Sequence, residues 1–383
     1  YLQKGLQPPS FELAGPRARV YFDPSKVIAG IVTCGGLCPG INDVIRAIVL
    51  SLQFHYGVKT IWGFRYGYEG LIPEYGHKPI SLDSELVDHI EELGGTILGS
   101  SRGPQDVKKM VDTLQQMGIN ILFTIGGDGT LKGARAIAEE IKQRALKIAV
   151  VGVPKTIDND ISYVQLSFGF NTAVSEAREA IRAAHTEAKG ARNGVGLVKL
   201  MGRESGFIAA HATLASSQVN FCLVPEVPFK LEKFLKALQE RLQRRTHAVV
   251  VVAEGAGQDL LNIPTEFDAS GNRVLGDIGL FLRDQIRQYF KSIGMAINLK
   301  YIDPSYTIRS VPANAYDSAF CLQLGHNAVH AAMSGRTNML VGYWRGEFTH
   351  VPISIAVAQR KRINPYGRLW ASVVACTGQP PLD

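Results

Sequence analysis

Short apolar runs that each end in a glycine-rich turn and lead into an amphipathic helix recur along this chain, and that rhythm admits few folds. Val27 to Thr33 runs into Gly35-Gly36-Leu37-Cys38-Pro39-Gly40 and then a helix from about Asn42 to His55. Thr60 to Phe64 is the next strand, Leu82 to Leu93 reads as a helix, and Thr96 to Leu98 reads as a short strand ending at Gly99-Ser100-Ser101-Arg102-Gly103. A helix over Pro104 to Met117 precedes an apolar strand over Ile119 to Ile125. That strand stops at Gly126-Gly127-Asp128-Gly129-Thr130, before a helix to about Arg144. Lys147 to Val153 is again strand-like. Strands alternating with helices predict a parallel sheet covered on both faces. In such sheets ligands sit beyond the carboxyl ends of the strands, so the turns at 35–40, 99–103 and 126–130 and the carboxylates at 158–160 are expected to converge.

The second half keeps the rhythm. Phe170 to Lys189 reads as a long helix, and Gly196 to Leu200 as a strand ending in Met201-Gly202-Arg203-Glu204-Ser205-Gly206, followed by a helix through about Ser216. Phe221 to Leu223 and His247 to Ala253 are strands on either side of a basic helix, Leu231 to Arg245; the second ends at Glu254-Gly255-Ala256-Gly257. Helices over Asp277 to Lys291 and Ala315 to Met333 flank a segment from Lys300 to Ile308 that delivers Arg309. The fold class is therefore α/β, as two doubly wound domains. A chain of 383 residues is too long for one ordinary core and suits two.

Composition excludes several classes. The formal net charge is +7, but the basic residues are spread out, with short clusters only at Arg241 to Arg245 and Arg360 to Arg362. A nucleic-acid protein concentrates them among aromatics; here the charge is a mild bias toward phosphorylated ligands. No apolar run approaches the roughly 20 residues that span a membrane, and no signal peptide is read. Five cysteines with no CxxC spacing read as reduced thiols of a cytoplasmic protein.

The chemistry gathers at the turns. Gly126-Gly127-Asp128-Gly129-Thr130 exposes amides suited to phosphates, with Asp128 as a carboxylate for Mg²⁺ and Thr130 as a hydroxyl at the helix N-cap. It is not a GxxxxGK[ST] loop. Gly152-Val153-Pro154-Lys155-Thr156-Ile157-Asp158-Asn159-Asp160 carries an apolar strand into two crowded carboxylates. Repulsion raises one pKa in such a pair, which suits one to take a proton from a hydroxyl while the other assists. By itself the stretch reads equally well as an Asp-rich turn. Arg102 and Arg203, each beside glycine at a strand end, are candidates to stabilise a moving phosphoryl group.

Together these motifs resemble a 6-phosphofructokinase. TCGGLCPGIN (33–42), GSSRGP (99–104), GGDGT (126–130), PKTIDND (154–160), KLMGRESGF (199–207), VAEG (252–255) and KYIDPSYTIR (300–309) occur in order over nearly the whole chain after residue 26. The wording of PKTIDND with KYIDPSYTIR is most similar to the ATP-dependent enzymes of trypanosomatids, plants and their bacterial relatives. The resemblance implies transfer of the γ-phosphoryl of MgATP to the 1-hydroxyl of fructose 6-phosphate. Asp158 would be the base, with Asp160 and Thr156 supporting the site; Asp128 would serve Mg²⁺; Arg203 and Arg102 would steady the transferring group. Met201, Gly202, Glu254, Lys300, Tyr306 and Arg309 would hold the sugar phosphate. Gly36, Arg65, Arg102, Gly103, Gly129, Thr130, Gly133 and Lys155 would line the ATP site.

It also implies a homotetramer, or a dimer, with active sites in the cleft between two domains and completed by a neighbour's 300–309 segment. The expected division is an arm over 1–26, an ATP-binding large domain over 27–168 plus 308–358, and a fructose 6-phosphate-binding domain over 169–307 plus 359–383. Departures from the well-known bacterial enzymes are Tyr306 for a histidine, Lys300 for an arginine and Gly194 for another arginine, for which Arg192 or Lys199 would compensate. Lys155 is the residue of pyrophosphate-dependent relatives, whereas Gly129 leaves open the space where those relatives carry an aspartate. Arg46 matches an effector position but Leu50 replaces its second arginine. The alternatives are a pyrophosphate-dependent enzyme or a catalytically silent nucleotide or sugar-phosphate sensor.

Overall fold

The computed structural model describes residues 10–261, 263, 264, 266, 267 and 273–383. Residues 1–9 of the expected arm lie outside the described residues. In chain order the strands are β1 (Glu12–Leu13), β2 (Ile28–Thr33), β3 (Thr60–Phe64), β4 (Ile80–Ser81), β5 (Ile121–Gly126), β6 (Ala149–Pro154), β7 (Gly194–Leu200), β8 (Phe221–Leu223), β9 (His247–Ala253), β10 (Asn298–Ile302), β11 (Met339–Trp344) and β12 (Glu347–Pro352). The chain divides into two compact units. The first takes the chain to Thr156, then Ile161–Phe168 and Ala315–Gln359; the second takes Ile157–Asp160, Gly169–Asn314 and Arg360–Asp383.

The first unit is built on an eight-stranded sheet ordered β1-β12-β11-β6-β5-β2-β3-β4. Its middle is parallel, from β11 to β3, and its edges are antiparallel. β5 and β6 are buried at every residue, which is why both read as unbroken apolar runs rather than alternating ones. Helices Val107–Gln116 and Asp128–Gln143 supply the partners of one core, where Met110, Leu114, Leu131 and Ile137 meet Leu122 and Val150. Each fully buried aliphatic side chain of this kind contributes about 1.5–3 kcal/mol. The strand order reverses at β2, which lies between β3 and β5. The carboxyl ends of β2 and β5 therefore flank the crevice where such sheets take ligands.

The second unit holds a four-stranded parallel sheet, β10-β7-β9-β8. Its core joins Val195, Leu197, Val250 and Val252 to Phe234 and Leu238 of helix Leu231–Arg245 and to Ile286 and Phe290 of helix Ile278–Ser292. Asp277 caps that last helix, accepting from the Leu280 N–H at 3.0 Å.

Several local expectations are corrected. Leu82 to Leu93 is not a helix: it is a run of turns ending in one 3-10 turn, Ile90–Glu92. His89 takes a left-handed φ of 59°, which stops a helix there. Thr96 to Leu98 forms no strand; the sheet edge is β4, antiparallel to β3. The helix expected from Pro104 begins at Val107, because Asp106 caps it by accepting from Lys108 N–H at 2.9 Å. The hairpin β11–β12 went unread. Its turn residues Arg345 and Gly346 have φ of 53° and 90°, the paired positive φ of a tight two-residue hairpin.

Candidate active site

In the first unit the turns after β2, β5 and β6 and the 99–103 loop meet one another. Cys34 N–H donates to the Ile125 carbonyl at 3.0 Å and Gly35 N–H to the Ser101 carbonyl at 3.0 Å. Ser100 Oγ returns a bond to the Gly35 carbonyl at 2.6 Å, and Thr33 Oγ1 donates to the Gly99 carbonyl at 2.7 Å. Lys155, 5% exposed, donates its backbone N–H to the Gly126 carbonyl at 3.0 Å and its ammonium to the Gly36 carbonyl. Gly36, Gly103, Asp128, Gly129, Lys155 and Thr156 thus all stand on one connected set of loops. Burial pushes the Cys34 thiol beneath them up to about 12, so it is no nucleophile.

Asp128 opens helix Asp128–Gln143 and pairs with Lys132 at 2.8 Å. Gly127, not Thr130, is the N-cap. Thr130 is the third residue of the helix and is buried against Gly126, which has to be glycine: a Cβ there lies 2.1 Å from Thr130 Oγ1. Gly133 is likewise a packing glycine, its missing Cβ replaced by the Tyr68 ring at 2.6 Å, while Tyr68 Oη donates to the Thr130 carbonyl at 2.7 Å. A Cβ on Gly129 meets nothing within 4 Å. Arg102 is exposed, and Arg65 lies over its neighbour Tyr66, 5.1 Å from the ring centre.

In the second unit several of the predicted site residues gather at the ends of β7 and β9. Glu254 N–H donates to the Leu200 carbonyl at 2.8 Å and Gly255 N–H to the Gly202 carbonyl at 3.1 Å. Gly202 has φ +130°, and a Cβ on Gly255 would lie 1.9 Å from the Arg203 carbonyl oxygen. Only glycine allows the two strand ends to close this tightly. Asp158 is part-buried with Oδ1 enclosed. Burial, then the Asp160 and Glu254 carboxylates, hold its pKa well above the usual carboxylate range, opposed by Arg360 and Arg203. Burial also raises Glu254, against Arg203, Lys199 and Arg309. Asp158, Asp160, Arg203, Glu254 and Arg309 therefore form one electrostatic group. Arg203 also donates to the Arg273 carbonyl at 2.6 Å.

The remaining predicted residues stand differently. Tyr306 is 76% exposed, with Arg309 4.9 Å from its ring centre. Lys300 is exposed on the edge strand β10. Lys199 cannot stand in for a missing arginine, because its ammonium is bound to Asp303 at 2.8 Å and Asp277 at 3.0 Å. At Gly194 a Cβ would lie 2.0 Å from the Ala188 carbonyl, so no side chain fits there. Arg46 is paired with Glu91 at 3.2 Å. Sequence reasoning missed Arg360, which pairs with Asp160; its only signal was the short basic cluster at 360–362.

Among the described residues no three His, Cys, Asp or Glu side chains could together hold a metal ion. A single carboxylate such as Asp128 suits Mg²⁺ that arrives with phosphate oxygens and keeps several waters. No helix among the described residues is long and apolar enough to cross a membrane, and none of the five cysteines forms a disulfide.

A family model described as Phosphofructokinase matches residues 28–332. The chain is 55% identical to the ATP-dependent 6-phosphofructokinase of Borreliella burgdorferi, covering 96% of this chain and 85% of that one. It is 50% identical to ATP-dependent 6-phosphofructokinase 7 of Arabidopsis thaliana over 97% of this chain and 77% of that one, and 49% identical to the ATP-dependent 6-phosphofructokinase of Trypanosoma brucei brucei over 94% and 75%. Among solved structures, the pyrophosphate-dependent phosphofructokinase from Marinobacter aquaeolei has the same fold, with TM-score 0.77 at 20% identity over 93% of this chain and 94% of that one.

Proposed function

The chain belongs to the phosphofructokinase family, and on that footing we propose how its own residues carry the reaction. The activity is ATP-dependent 6-phosphofructokinase activity, the glycolytic transfer of a phosphoryl group from ATP to fructose 6-phosphate. The observation that carries the residue assignment is Asp158. It is a carboxylate with one enclosed oxygen, raised by burial and by two like-charged neighbours, and held beside two arginines.

A base of that kind takes the proton of the sugar 1-hydroxyl as its oxygen bonds to the γ-phosphorus, while the bond from that phosphorus to the bridging oxygen breaks and ADP leaves with the electron pair. Arg203, already part of the group around Asp158, meets the charge on the transferring phosphoryl, and Arg102 from the 99–103 loop assists. Met201, Gly202, Glu254 and Arg309 hold the sugar phosphate, with Lys300 and Tyr306 as its outer contacts. The connected loops of the first unit take the nucleotide. Gly36, Gly103 and Gly129 let its phosphates approach the backbone, Gly133 packs its helix against Tyr68, Thr130 supports the helix start, and Arg65 serves the adenine side. The open space at Gly129 supports a nucleotide rather than a shorter donor, and the Lys155 ammonium adds positive charge on the donor side.

Asp128 would hold Mg²⁺, and the ion would supply positive charge against that of the phosphates. The same carboxylate pairs with a cation of this chain, Lys132, at 2.8 Å. The first unit takes ATP and the second fructose 6-phosphate, the working assembly is a homotetramer, and five thiols outside disulfides suit the cytoplasm. A coupled assay with ATP and with pyrophosphate as donor tests the reading: turnover with ATP and fructose 6-phosphate is the expected result, and turnover with pyrophosphate alone would overturn it. Mass photometry tests the tetramer.

A further inference from the structure

The C-terminal segment Arg360–Ile363 is sewn onto the acceptor-side loops at several successive points. Arg360 pairs through its guanidinium with Asp160, whose side chain is 4% exposed. Lys361 N–H donates to the Asp160 carbonyl at 2.8 Å, and the Lys361 carbonyl accepts from Ser205 Oγ at 2.6 Å. Arg362 pairs with Glu204. Ile363 N–H donates to Glu226 Oε1 at 2.9 Å, and the same carboxylate takes the Gly206 N–H. The Lys361 ammonium lies 5.2 Å from the centre of the Phe207 ring.

These contacts hold a turn that needs holding. Asn159, between the two aspartates, has a left-handed φ of 53°, a conformation that asparagine tolerates but that few residues adopt unaided. Asp158, Asp160 and Glu254 bring three carboxylates into one group, and a nearly enclosed carboxylate without a counter-charge is strongly unfavourable. Arg203 and Arg309 are also cations of the group, and the transfer step calls Arg203 to the phosphoryl. Arg360 is the counter-charge fixed on Asp160.

We propose that Arg360 is a positioning residue for phosphoryl transfer: by gripping Asp160 it fixes the 158–160 turn so that the Asp158 carboxylate faces the acceptor hydroxyl. This rests on Asp158 being the base, so the two claims are tested side by side on the full-length enzyme. Steady-state kcat and both KM values are measured for Arg360→Met, Arg360→Lys and Asp158→Asn, with folding checked by thermal melting. Misplacement of a catalytic group costs about 10- to 100-fold, so Arg360→Met loses that much kcat while both KM values stay within about twofold. Arg360→Lys, which keeps the charge, recovers part of the loss.

If Asp158→Asn collapses and Arg360→Met keeps wild-type kcat, or changes only KM, the positioning role is overturned and the base stands. If Asp158→Asn is near normal, both fall. Should Arg360→Met fail to fold, Asp160→Asn releases the arginine while keeping the shape of the side chain. The same loss of kcat at constant KM is then expected, and wild-type kcat overturns the proposal.

Discussion

Lys155 donates its ammonium to the carbonyl of Gly36, tying the loop after β6 to the loop after β2. The bond joins a glycine-rich turn to an aspartate-rich one that sequence alone leaves 119 residues apart. The backbone N–H of Lys155 makes a separate bond to the Gly126 carbonyl at 3.0 Å.

Replacing this lysine tests its donor-side role. A hydrogen bond from a charged group is worth about 1.5–3 kcal/mol. Lys155→Met is expected to lower kcat/KM for ATP by about tenfold to a hundredfold, while the KM for fructose 6-phosphate stays within about twofold. Initial rates with each substrate varied in turn check this.

Gly129 makes a complementary prediction. Its Cβ position is empty, and it lies in the first turn of helix Asp128–Gln143, where a carboxylate is favourable by about 0.3–1 kcal/mol. Gly129→Asp is therefore expected to melt at or above the wild-type temperature, yet to raise the KM for ATP by about tenfold or more as its side chain fills the space for the nucleotide phosphates. Calorimetry and initial rates separate the two effects.

Gly194 is a packing position. Helix Phe170–Gly190 passes so close that a Cβ would sit 2.0 Å from the Ala188 carbonyl. Gly194→Ala is expected to cost about 1–3 kcal/mol of stability, the usual range for overpacking, read as a lower midpoint in urea. The same clash explains why this chain carries no arginine there.

The buried acid group makes stability depend on pH. The folded-state pKa of Asp158 is raised, mainly by burial, so the folded state binds a proton there that the unfolded chain releases in the ordinary carboxylate range. The contribution is full below that range and is lost as pH rises through the raised value. Asp158→Asn, which cannot ionise, is expected to melt higher than wild type at pH 8 and to differ less at pH 4, as thermal melts at the two values will show.

Much of the fold was legible because β5 and β6, at the centre of their sheet, are buried at every residue and so are apolar almost throughout, Thr124 excepted. The hairpin β11–β12 was not, because its signal is a turn conformation at Arg345-Gly346 rather than a periodic run. The stretch 82–93 has helical spacing, yet the left-handed backbone at His89 interrupts it. At the site, Asp128, Asp158 and Arg203 were legible from their places at strand ends. Arg360 was not: it lies 200 residues from Asp160, and pairing across that distance leaves no local pattern. Thr130 shows the reverse error, where an N-cap residue type turned out to be packed at the third position of its helix.

The most direct test of the account is the kcat of Asp158→Asn with ATP and fructose 6-phosphate, alongside binding of both substrates by calorimetry. Removing a general base costs about 10²–10⁴-fold, so the account predicts a loss of that size with both substrates still bound. A kcat within about threefold of wild type would contradict it.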